Sequence, residues 1–368
     1  MRIVLFVHSI VSDWNNGHAH FLRGLVTALM QRGHQVSCCE PVNNWSTRNL
    51  FSTAHAAPIV EFARRFPWIS VQFYDPDERS IDQMEELTAG ADLVIVHEFN
   101  EPDIVGAAGY VRARRKDFLL LFHDTHHRLA SVPHQIVRFN LADYDGILAF
   151  GESLARLYRT ALGFSNVFVF HEAADIRTFF PIETEKEHDV VWIGNWGDDE
   201  RADQIRDYLI AAAADLPDLR FTVHGVRYPK HILKSFDRAG IRYEGWAPNF
   251  AVPEIFAKSR TTLHILRSFY CTSLSGIPTI RPFEAMACGI PLITTQWHDT
   301  EQLFRGGRDY LMAESPEQMR RHIRELTASE QMRRDLAGSA LETIRLRHHC
   351  DLRAEQLEQI CERLSNSR

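Results

Sequence analysis

The chain is poor in cysteine and has no motif that would join cysteines to each other or to a metal. Its 368 residues include six, Cys38, Cys39, Cys271, Cys288, Cys350 and Cys361, and none of them forms a CxxC pair. In a chain of this size, such scattered cysteines are typical of reduced core thiols. We therefore expect a cytoplasmic protein without a disulfide framework.

Long apolar runs are also missing. The apolar stretch at residues 2–7 is too short for a signal peptide or a membrane span. No later stretch is long enough to cross a bilayer, so the sequence predicts no integral membrane segment.

An excess of basic residues is lacking as well. The chain has 41 Lys and Arg against 48 Asp and Glu, a formal net charge of -7. Because phosphate backbones are bound by a local basic excess, this balance does not favour nucleic acid as a partner. No GxGxxG follows the first predicted strand, which disfavours a nicotinamide-dependent dehydrogenase.

What the sequence does contain is a regular alternation of short β-branched or aromatic runs with helical patterns. This order predicts parallel sheets in an α/β fold, with two Rossmann-like doubly wound domains facing across a cleft. A charged, Pro181-containing interruption divides the chain. We predict an N-terminal domain at residues 1–180, a C-terminal domain at 181–345 and a closing helix at 346–368 that can cross back to the first domain.

The most informative segment is RPFEAMACGIPLI, residues 281–293. Pro282 is expected to start a helix, with Glu284 in its first turn and Gly289 ending it. Free N–H groups at a helix start can hold a phosphate, and the Glu284 carboxylate can accept two hydrogen bonds from a ribose diol. Taken alone, the same residues can equally serve only to stabilise and cap the helix.

This segment resembles the nucleotide-binding region of glycosyltransferase group 1, closest to the spore-maturation CgeB-like subgroup. The run VVWIGNWGDDER at residues 190–201 and the run LFRGGRDYL at 303–311 resemble the same subgroup. The resemblance covers about residues 189–357, whereas the first half of the chain matches only in general pattern.

The resemblance implies the GT-B fold and transfer of a hexosyl group from a nucleotide-diphosphate sugar, such as a UDP sugar. It implies no cofactor beyond that co-substrate and no metal. It favours a retaining mechanism, in which the leaving phosphate can take the acceptor's proton, and leaves open an inverting one, in which Asp13 or a histidine would serve as the base. Glu284 matches the family's ribose-binding glutamate, with Phe283 beside it. The family often carries another glutamate eight positions earlier, where this chain has Gly276. The acceptor can be a glycan, a lipid, a protein or a small molecule.

Positive charge is needed on the diphosphate, since charge develops there as the sugar leaves. Arg267 follows an apolar strand and Arg281 precedes the nucleotide helix, so we expect both to bind the donor. Lys258 and Arg201 are weaker candidates. The turn Gly194, Asn195, Trp196 is expected to let the backbone approach the donor closely.

In the first half, three polar sets follow three predicted strands. Residues 9–20 include Asp13, His18 and His20, residues 97–98 are His-Glu, and residues 123–128 begin with His123 and Asp124. The carboxyl ends of parallel strands share one edge, so these sets should gather there. We name His123 first, then Asp13 and His18, as catalytic candidates.

Two alternatives stay open. A metal-dependent hydrolase would use the cluster His123, Asp124, His126, His127 and His134, although adjacent His126 and His127 should diverge. The other alternative is a nucleotide-sugar epimerase or a binding protein, which would keep the Glu284 site without transferring a sugar.

Overall fold

The computed structural model describes residues 1–76, 81–197 and 199–366, which form two compact units. Unit 1 comprises Met1–Glu172 together with Cys350–Arg368, and unit 2 comprises Ala173–His349. The contacts thus divide the chain after residues 172 and 349, where the sequence predicts boundaries after 180 and 345. Each unit is built around its own parallel sheet.

The sheet of unit 1 has seven strands in the order β3-β2-β1-β4-β5-β6-β7, all parallel. The strands are β1 Arg2–Phe6, β2 Gln35–Pro41, β3 Ser70–Tyr74, β4 Leu93–His97, β5 Leu119–Asp124, β6 Gly146–Ala149 and β7 Val167–Val169. Strands β2 and β3 are added on one side of β1 and strands β4 to β7 on the other, so the strand order reverses between β1 and β4.

The sheet of unit 2 repeats this plan with six parallel strands in the order β10-β9-β8-β11-β12-β13. The strands are β8 His188–Ile193, β9 Phe221–His224, β10 Ile241–Gly245, β11 Ser259–His264, β12 Leu292–Thr295 and β13 Leu311–Ala313. The order reverses between β8 and β11. Both orders are those of the doubly wound dinucleotide-binding fold, and the predicted fold class is confirmed.

Helices connect most of the successive strands within each sheet, and three helices among the described residues follow the last strand. They are α1 His18–Gln31, α2 Trp45–Ala54, α3 Ala57–Arg65, α4 Ile81–Leu87, α5 Pro102–Arg115, α6 Arg128–Ser131, α7 Glu152–Thr160, α8 Ala202–Ile205, α9 Ala211–Asp215, α10 Lys230–Arg238, α11 Val252–Ala257, α12 Ser268–Cys271, α13 Ile280–Ala287, α14 Pro316–Ala328, α15 Glu330–Arg347 and α16 Cys350–Asn366. A π-helical turn, Arg206–Ile210, joins α8 to α9. None of the helices within the described ranges is long and apolar enough to cross a membrane.

The local sequence explains these elements. Every residue of β4 and β5 is buried, which accounts for their nearly continuous apolar sequences LVIVH and LLLFHD. The starts of α14 and α15 are capped by Ser315 and Ser329, whose hydroxyls accept a backbone N–H three residues on. Strand β13 was not predicted, because its three residues, LMA, carry no β-branched or aromatic signal.

Helix α16 follows unit 2 in the chain and packs in unit 1. Its Glu358 carboxylate accepts hydrogen bonds from Arg32 at 2.9 and 2.5 Å and lies 2.7 Å from Nε2 of His34. Arg353 and Gln356 donate to the carbonyls of His171 and Val169, at 2.9 and 2.8 Å. These contacts join the end of the chain to α1 and to the segment after β7.

Candidate active site

The carboxyl edge of the unit 2 sheet brings together most of the predicted donor-binding residues. The turn after β8 contains Gly194, Asn195 and Trp196, and Arg267 follows β11. The start of α13, which carries Arg281 and Glu284, lies between β11 and β12 in the chain. In a doubly wound sheet this edge, at the point where the strand order reverses, is where ligands bind.

Glu284 is fully buried, with 0 % of its surface exposed. Nη1 of Arg281 donates a hydrogen bond to its carboxylate Oε2, one helical turn away. Arg281 is itself partly exposed. A buried carboxylate held by a guanidinium that reaches solvent has the charge and the acceptor atoms expected for recognising a diol beside an anion.

The predicted start of this helix was wrong. Helix α13 begins at Ile280, two residues before Pro282, so Glu284 lies beyond the first turn. Proline is tolerated at the third helical position, because its missing N–H would have no partner within the helix there. Pro282 therefore also removes one donor from the helix start. The preceding Thr279 has a φ of 58° and a ψ of 180°, a strained conformation for a residue with a side chain.

Arg201 links the carboxyl ends of β8 and β11, the two central strands of the unit 2 sheet. It is largely buried, and it donates hydrogen bonds to the carbonyls of Asn195 and Trp196 after β8 and of Ile265 after β11, the last at 3.2 Å. Burial lowers its pKa. The sequence left its role undecided, because these partners are backbone groups brought near by the fold.

Arg267 forms an ion pair with Glu200, whose Oε1 lies 2.5 Å from its Nε. The other oxygen of Glu200 accepts hydrogen bonds from the backbone N–H and the hydroxyl of Ser268, both at 3.0 Å. Arg267 is thus oriented at the carboxyl end of β11, as predicted. Lys258 is not at this edge: it precedes β11 and pairs with Glu187 at 2.9 Å, so its candidacy was wrong.

The turn after β8 is held by close backbone contacts. A Cβ at Gly194 would lie 2.4 Å from the Trp192 ring, so only glycine fits there. Oδ1 of Asn195 accepts from the N–H of Val226 at 2.9 Å. Trp196 is 4 % exposed and donates through Nε1 to Asp199 at 2.8 Å.

Phe283 is buried and packs against Phe304 and His348, with ring centroids 5.3 and 5.5 Å apart. Phe283 and Trp196 therefore support the site from within the core. Contact of either side chain with a donor stays a prediction.

Sequence reasoning missed His264, the last residue of β11. Its Nδ1 lies 3.2 Å from the hydroxyl of Thr294, and its Nε2 lies 3.5 Å from the hydroxyl of Thr279. Burial, with the neighbouring charges of Arg201 and Arg281, lowers its pKa to about 3, so the imidazole is neutral. The available signal was a histidine at the carboxyl end of a strand, the edge at which this kind of sheet binds ligands.

The carboxyl edge of the unit 1 sheet collects three buried histidines. Nε2 of His97, at the end of β4, lies 2.6 Å from Nε2 of His18, at the start of α1. The ring of His123, in β5, has its centroid 5.0 Å from that of His97 and 5.4 Å from that of His18. The predicted gathering of His18, His97 and His123 at this edge is therefore observed.

Carboxylates flank two of these rings. Nδ1 of His18 lies 2.9 Å from Oε1 of Glu172, and Nδ1 of His97 lies 2.6 Å from Oε2 of Glu98. Burial raises the pKa of Glu98 to about 7, and burial together with Glu98 raises the pKa of Asp124 to about 7. Asp124 is hydrogen-bonded to the hydroxyl of Tyr158 at 2.7 Å.

Asp13 has a structural partner. Its Oδ2 accepts from Nη1 of Arg23 at 3.0 Å, and both side chains are buried. Arg23 also donates to the carbonyls of Ile10 and Val11, at 2.8 and 3.0 Å. The pair therefore ties the loop after β1 to α1, and this contact supplies no evidence for a catalytic role of Asp13.

The cluster of the hydrolase alternative does not form as predicted. The rings of His126 and His127 lie side by side, with centroids 4.0 Å apart, so the expectation that they diverge was wrong. His134 is exposed on a 3-10 turn. Within the described part of the chain, the one group of three or more side chains placed to bind a metal is instead His18, His97 and His123.

A pocket of about 450 Å³ opens at the same edge of unit 1. Its lining includes Trp45 and Phe99, which are 40 % and 38 % exposed, and the exposed residues Asn43 and Arg48. Aromatic surface combined with amide and guanidinium donors is suited to a polar ligand that also has apolar faces.

Comparison with known proteins adds the decisive observation. Residues 203–359 match the family described as glycosyl transferase-like. Unit 2 contains a glycosyl transferase-like domain. The matched range extends into α16 and includes Arg267, Arg281 and Glu284. No curated protein sequence matches the chain significantly.

Solved structures agree in fold over the whole chain. An alpha-glucosyltransferase in complex with UDP and a 13-mer DNA superposes with a TM-score of 0.71 at 14 % identity, covering 98 % of this chain and 100 % of that one. Sucrose-phosphate synthase from Thermosynechococcus elongatus gives 0.68 at 14 % identity, and Anabaena HepE in complex with UDP-glucose gives 0.69 at 16 % identity, each covering 100 % of both chains. The glycosyl transferase-like domain thus belongs to a chain with the GT-B fold.

Proposed function

We propose that this chain is a glycosyltransferase that moves a hexosyl group from a UDP sugar to an acceptor, and that it belongs to the CgeB-like subgroup. The observation that carries the proposal is the buried Glu284, held by Arg281 inside the glycosyl transferase-like domain. The solved structures with the same fold that are complexed with UDP or UDP-glucose support the choice of nucleotide.

In this proposal Glu284 accepts hydrogen bonds from the two ribose hydroxyls, and Arg281 and Arg267 lie against the diphosphate. Both guanidiniums are already oriented, by Glu284 and by Glu200. Groups oriented before the reaction stabilise charge on the leaving diphosphate at little reorganisation cost. For this reason we propose that the diphosphate is bound without a divalent cation or any further cofactor.

We propose a retaining reaction. In such a reaction the departing phosphate can itself take the acceptor's proton, so no protein side chain has to act as the base. Roles for His123, His18 and Asp13 near the reacting centre stay predictions. Gly276 has a φ of +94°, and a Cβ there would lie 2.2 Å from the hydroxyl of Thr300, so a glutamate does not fit that backbone unchanged.

We propose that unit 1 supplies the acceptor site and that the acceptor is a glycan or a glycosylated small molecule. The pocket beside Trp45 supports this, since aromatic faces pack against sugar rings and asparagine amides can pair with hydroxyls. The net charge of -7 argues against nucleic acid. The six cysteines show no paired spacing typical of a disulfide framework, which supports a cytoplasmic location.

Thermal unfolding in the presence of UDP, GDP, TDP and their sugars tests the donor assignment. A ligand of the native state raises the melting temperature by mass action. We expect UDP and one UDP sugar to stabilise the wild type, and Glu284→Gln to lose that shift while the matched exposed variant Glu314→Gln keeps it. Stabilisation by no nucleotide would refute the proposal.

Catalysis is tested by UDP release from the stabilising sugar with and without oligosaccharide, lipid, peptide and DNA acceptors. NMR of the product's anomeric proton then distinguishes retention from inversion. Binding of UDP sugar with no transfer to any acceptor would favour the binding-protein alternative, and conversion of the free nucleotide sugar would favour the epimerase.

A further inference from the structure

We propose that His18, His97 and His123 of unit 1 form a binding site for a zinc ion. One ring nitrogen from each of the three residues lies within 4.8 Å of the other two. The three side chains are 8 %, 3 % and 2 % exposed. The site lies in unit 1, so the proposal does not depend on the donor site of unit 2 or on the proposed function.

The orientation of two rings leaves their Nε2 atoms as ligands. An ionised carboxylate only accepts hydrogen bonds, so Nδ1 of His18, hydrogen-bonded to Oε1 of Glu172 at 2.9 Å, carries the ring proton and Nε2 of His18 presents a lone pair. Nδ1 of His97 lies 2.6 Å from Oε2 of Glu98 without the alignment of a hydrogen bond, and this ring also turns its Nε2 toward His18. A histidine whose far nitrogen is held by a carboxylate is the arrangement that surrounds many metal centres.

Nε2 of His97 lies 2.6 Å from Nε2 of His18, so a proton or a metal ion has to lie between the two nitrogens. Either a shared proton or a metal ion can serve. A shared proton would satisfy His18 and His97 alone. A metal ion would also satisfy His123, whose Nε2 is buried and has no hydrogen-bond partner among the described residues.

The other polar neighbours are already engaged. The hydroxyl of Thr125 lies 3.4 Å from Nε2 of His97 but donates to the nearer Oε1 of Glu98, at 3.1 Å. Nη2 of Arg128 donates to the carbonyl of Glu98 at 2.6 Å. Neither Thr125 nor Arg128 therefore takes the place of an ion between the histidine nitrogens.

The donor set favours zinc. Imidazole suits Zn²⁺ and other late transition metals, and three histidines with a fourth position left for water or a ligand is a known zinc arrangement. With zinc–nitrogen distances of about 2.0–2.1 Å and tetrahedral angles, two ligand nitrogens lie about 3.3 Å apart. The His18 and His97 nitrogens have to separate by less than an ångström to reach that spacing.

Such an ion would connect three segments that are distant in sequence: the start of α1, the end of β4 and β5. A histidine bound to zinc through Nε2 has no free lone pair for proton abstraction. The metal assignment therefore replaces the general-base role predicted for His123 and His18 with that of metal ligands.

The test begins with tag-free wild type stripped by chelator and titrated with Zn²⁺ against a chromophoric chelator. We expect one zinc ion per chain and a higher melting temperature with zinc than with EDTA. X-ray absorption of the zinc form should show nitrogen ligands at about 2.0–2.1 Å, and Co²⁺ should give the visible spectrum of a tetrahedral nitrogen site.

Variants locate the ion. His97→Gln and His123→Gln should each abolish stoichiometric binding, Glu172→Gln should weaken it by roughly 10–100-fold, and the exposed control His134→Gln should bind as the wild type does. Failure of the wild type to bind Zn²⁺ and Co²⁺ would overturn the proposal in favour of a shared proton, even where a variant does not fold. Undiminished binding by the folded His97→Gln and His123→Gln proteins would overturn it too.

Discussion

Gly225 lies where the ends of β8 and β9 come closest, and replacing it by alanine is expected to cost about 2–6 kcal/mol of stability. The added Cβ would lie 2.0 Å from the carbonyl oxygen of Gly194, a backbone atom that cannot rotate away. Since real Cβ contacts are essentially never below 3.0 Å, the two chain segments would have to separate by about 1 Å. Such overpacking costs about 1–3 kcal/mol, and the φ of +153° adds about 1–3 kcal/mol of backbone strain.

The same displacement should disturb the site, because the Gly194 carbonyl accepts a 2.6 Å hydrogen bond from the hydroxyl of Tyr228. Gly240→Ala is the matched control, since it also has a positive φ, +70°, but has nothing within 4 Å of the added carbon. Urea unfolding followed by tryptophan fluorescence compares the two. Equal losses of stability in both variants would refute the reasoning, because the contact with Gly194 would then contribute nothing.

Three further predictions concern single side chains. Glu284→Gln keeps one of the two acceptor oxygens, so we expect it to lose one charged hydrogen bond of about 1.5–3 kcal/mol. The Kd for UDP, measured by calorimetry, should then rise by roughly 10–150-fold, while the control Glu314→Gln leaves it unchanged. An unchanged Kd in Glu284→Gln would remove Glu284 from the donor site. The pKa of His264 is lowered to about 3 in the folded chain against 6.5 as the ordinary value. The unfolded state therefore binds more protons below pH 6.5, and this group should cost the wild type roughly 2 kcal/mol of stability between pH 6.5 and 5. Urea titrations should find the total loss smaller by that amount in His264→Gln, in which other histidines with a lowered pKa, such as His8 and His224, still contribute; an equal loss in both proteins would refute the assignment. Pairing with Arg32 lowers the pKa of Glu358 to about 2, but the pair is partly exposed. Glu358→Gln should therefore reduce the free energy of unfolding at pH 7 by at most about 1 kcal/mol. If urea titrations find the same reduction in 1 M salt, the contribution of this pair is not the screened electrostatic one expected here.

The sequence predicted the features that depend on local pattern or on sheet topology. Arg281 and Glu284 were both predicted at the start of the nucleotide helix, and residues three apart on a helix lie side by side. His18, His97 and His123 meet because the carboxyl ends of parallel strands share an edge, whatever lies between them in sequence. Both predictions required only the assignment of these residues to a helix or to the end of a strand.

The features that were missed depend on side-chain partners that no pattern reveals. Arg201 bonds to the carbonyl of Ile265, and backbone carbonyls look alike in every sequence. Asp13 was named as catalytic because of its loop, but Arg23 in the following helix forms an ion pair with it. The start of α13 was placed too late, since proline is accepted at more than one position of a first helical turn.

Because α16 belongs to unit 1 and follows unit 2 in the chain, unit 1 cannot be completed before all of unit 2 has been synthesised. Unit 2 is a continuous stretch of chain and can fold as soon as it leaves the ribosome, whereas α1 has no α16 to pack against until translation reaches Cys350–Asn366. During that interval the face of α1 around Phe21, which Cys350 later contacts at 3.9 Å, is uncovered. A nascent chain stalled before residue 350 should therefore hold a folded second unit beside a first unit that is still open to chaperones and proteases.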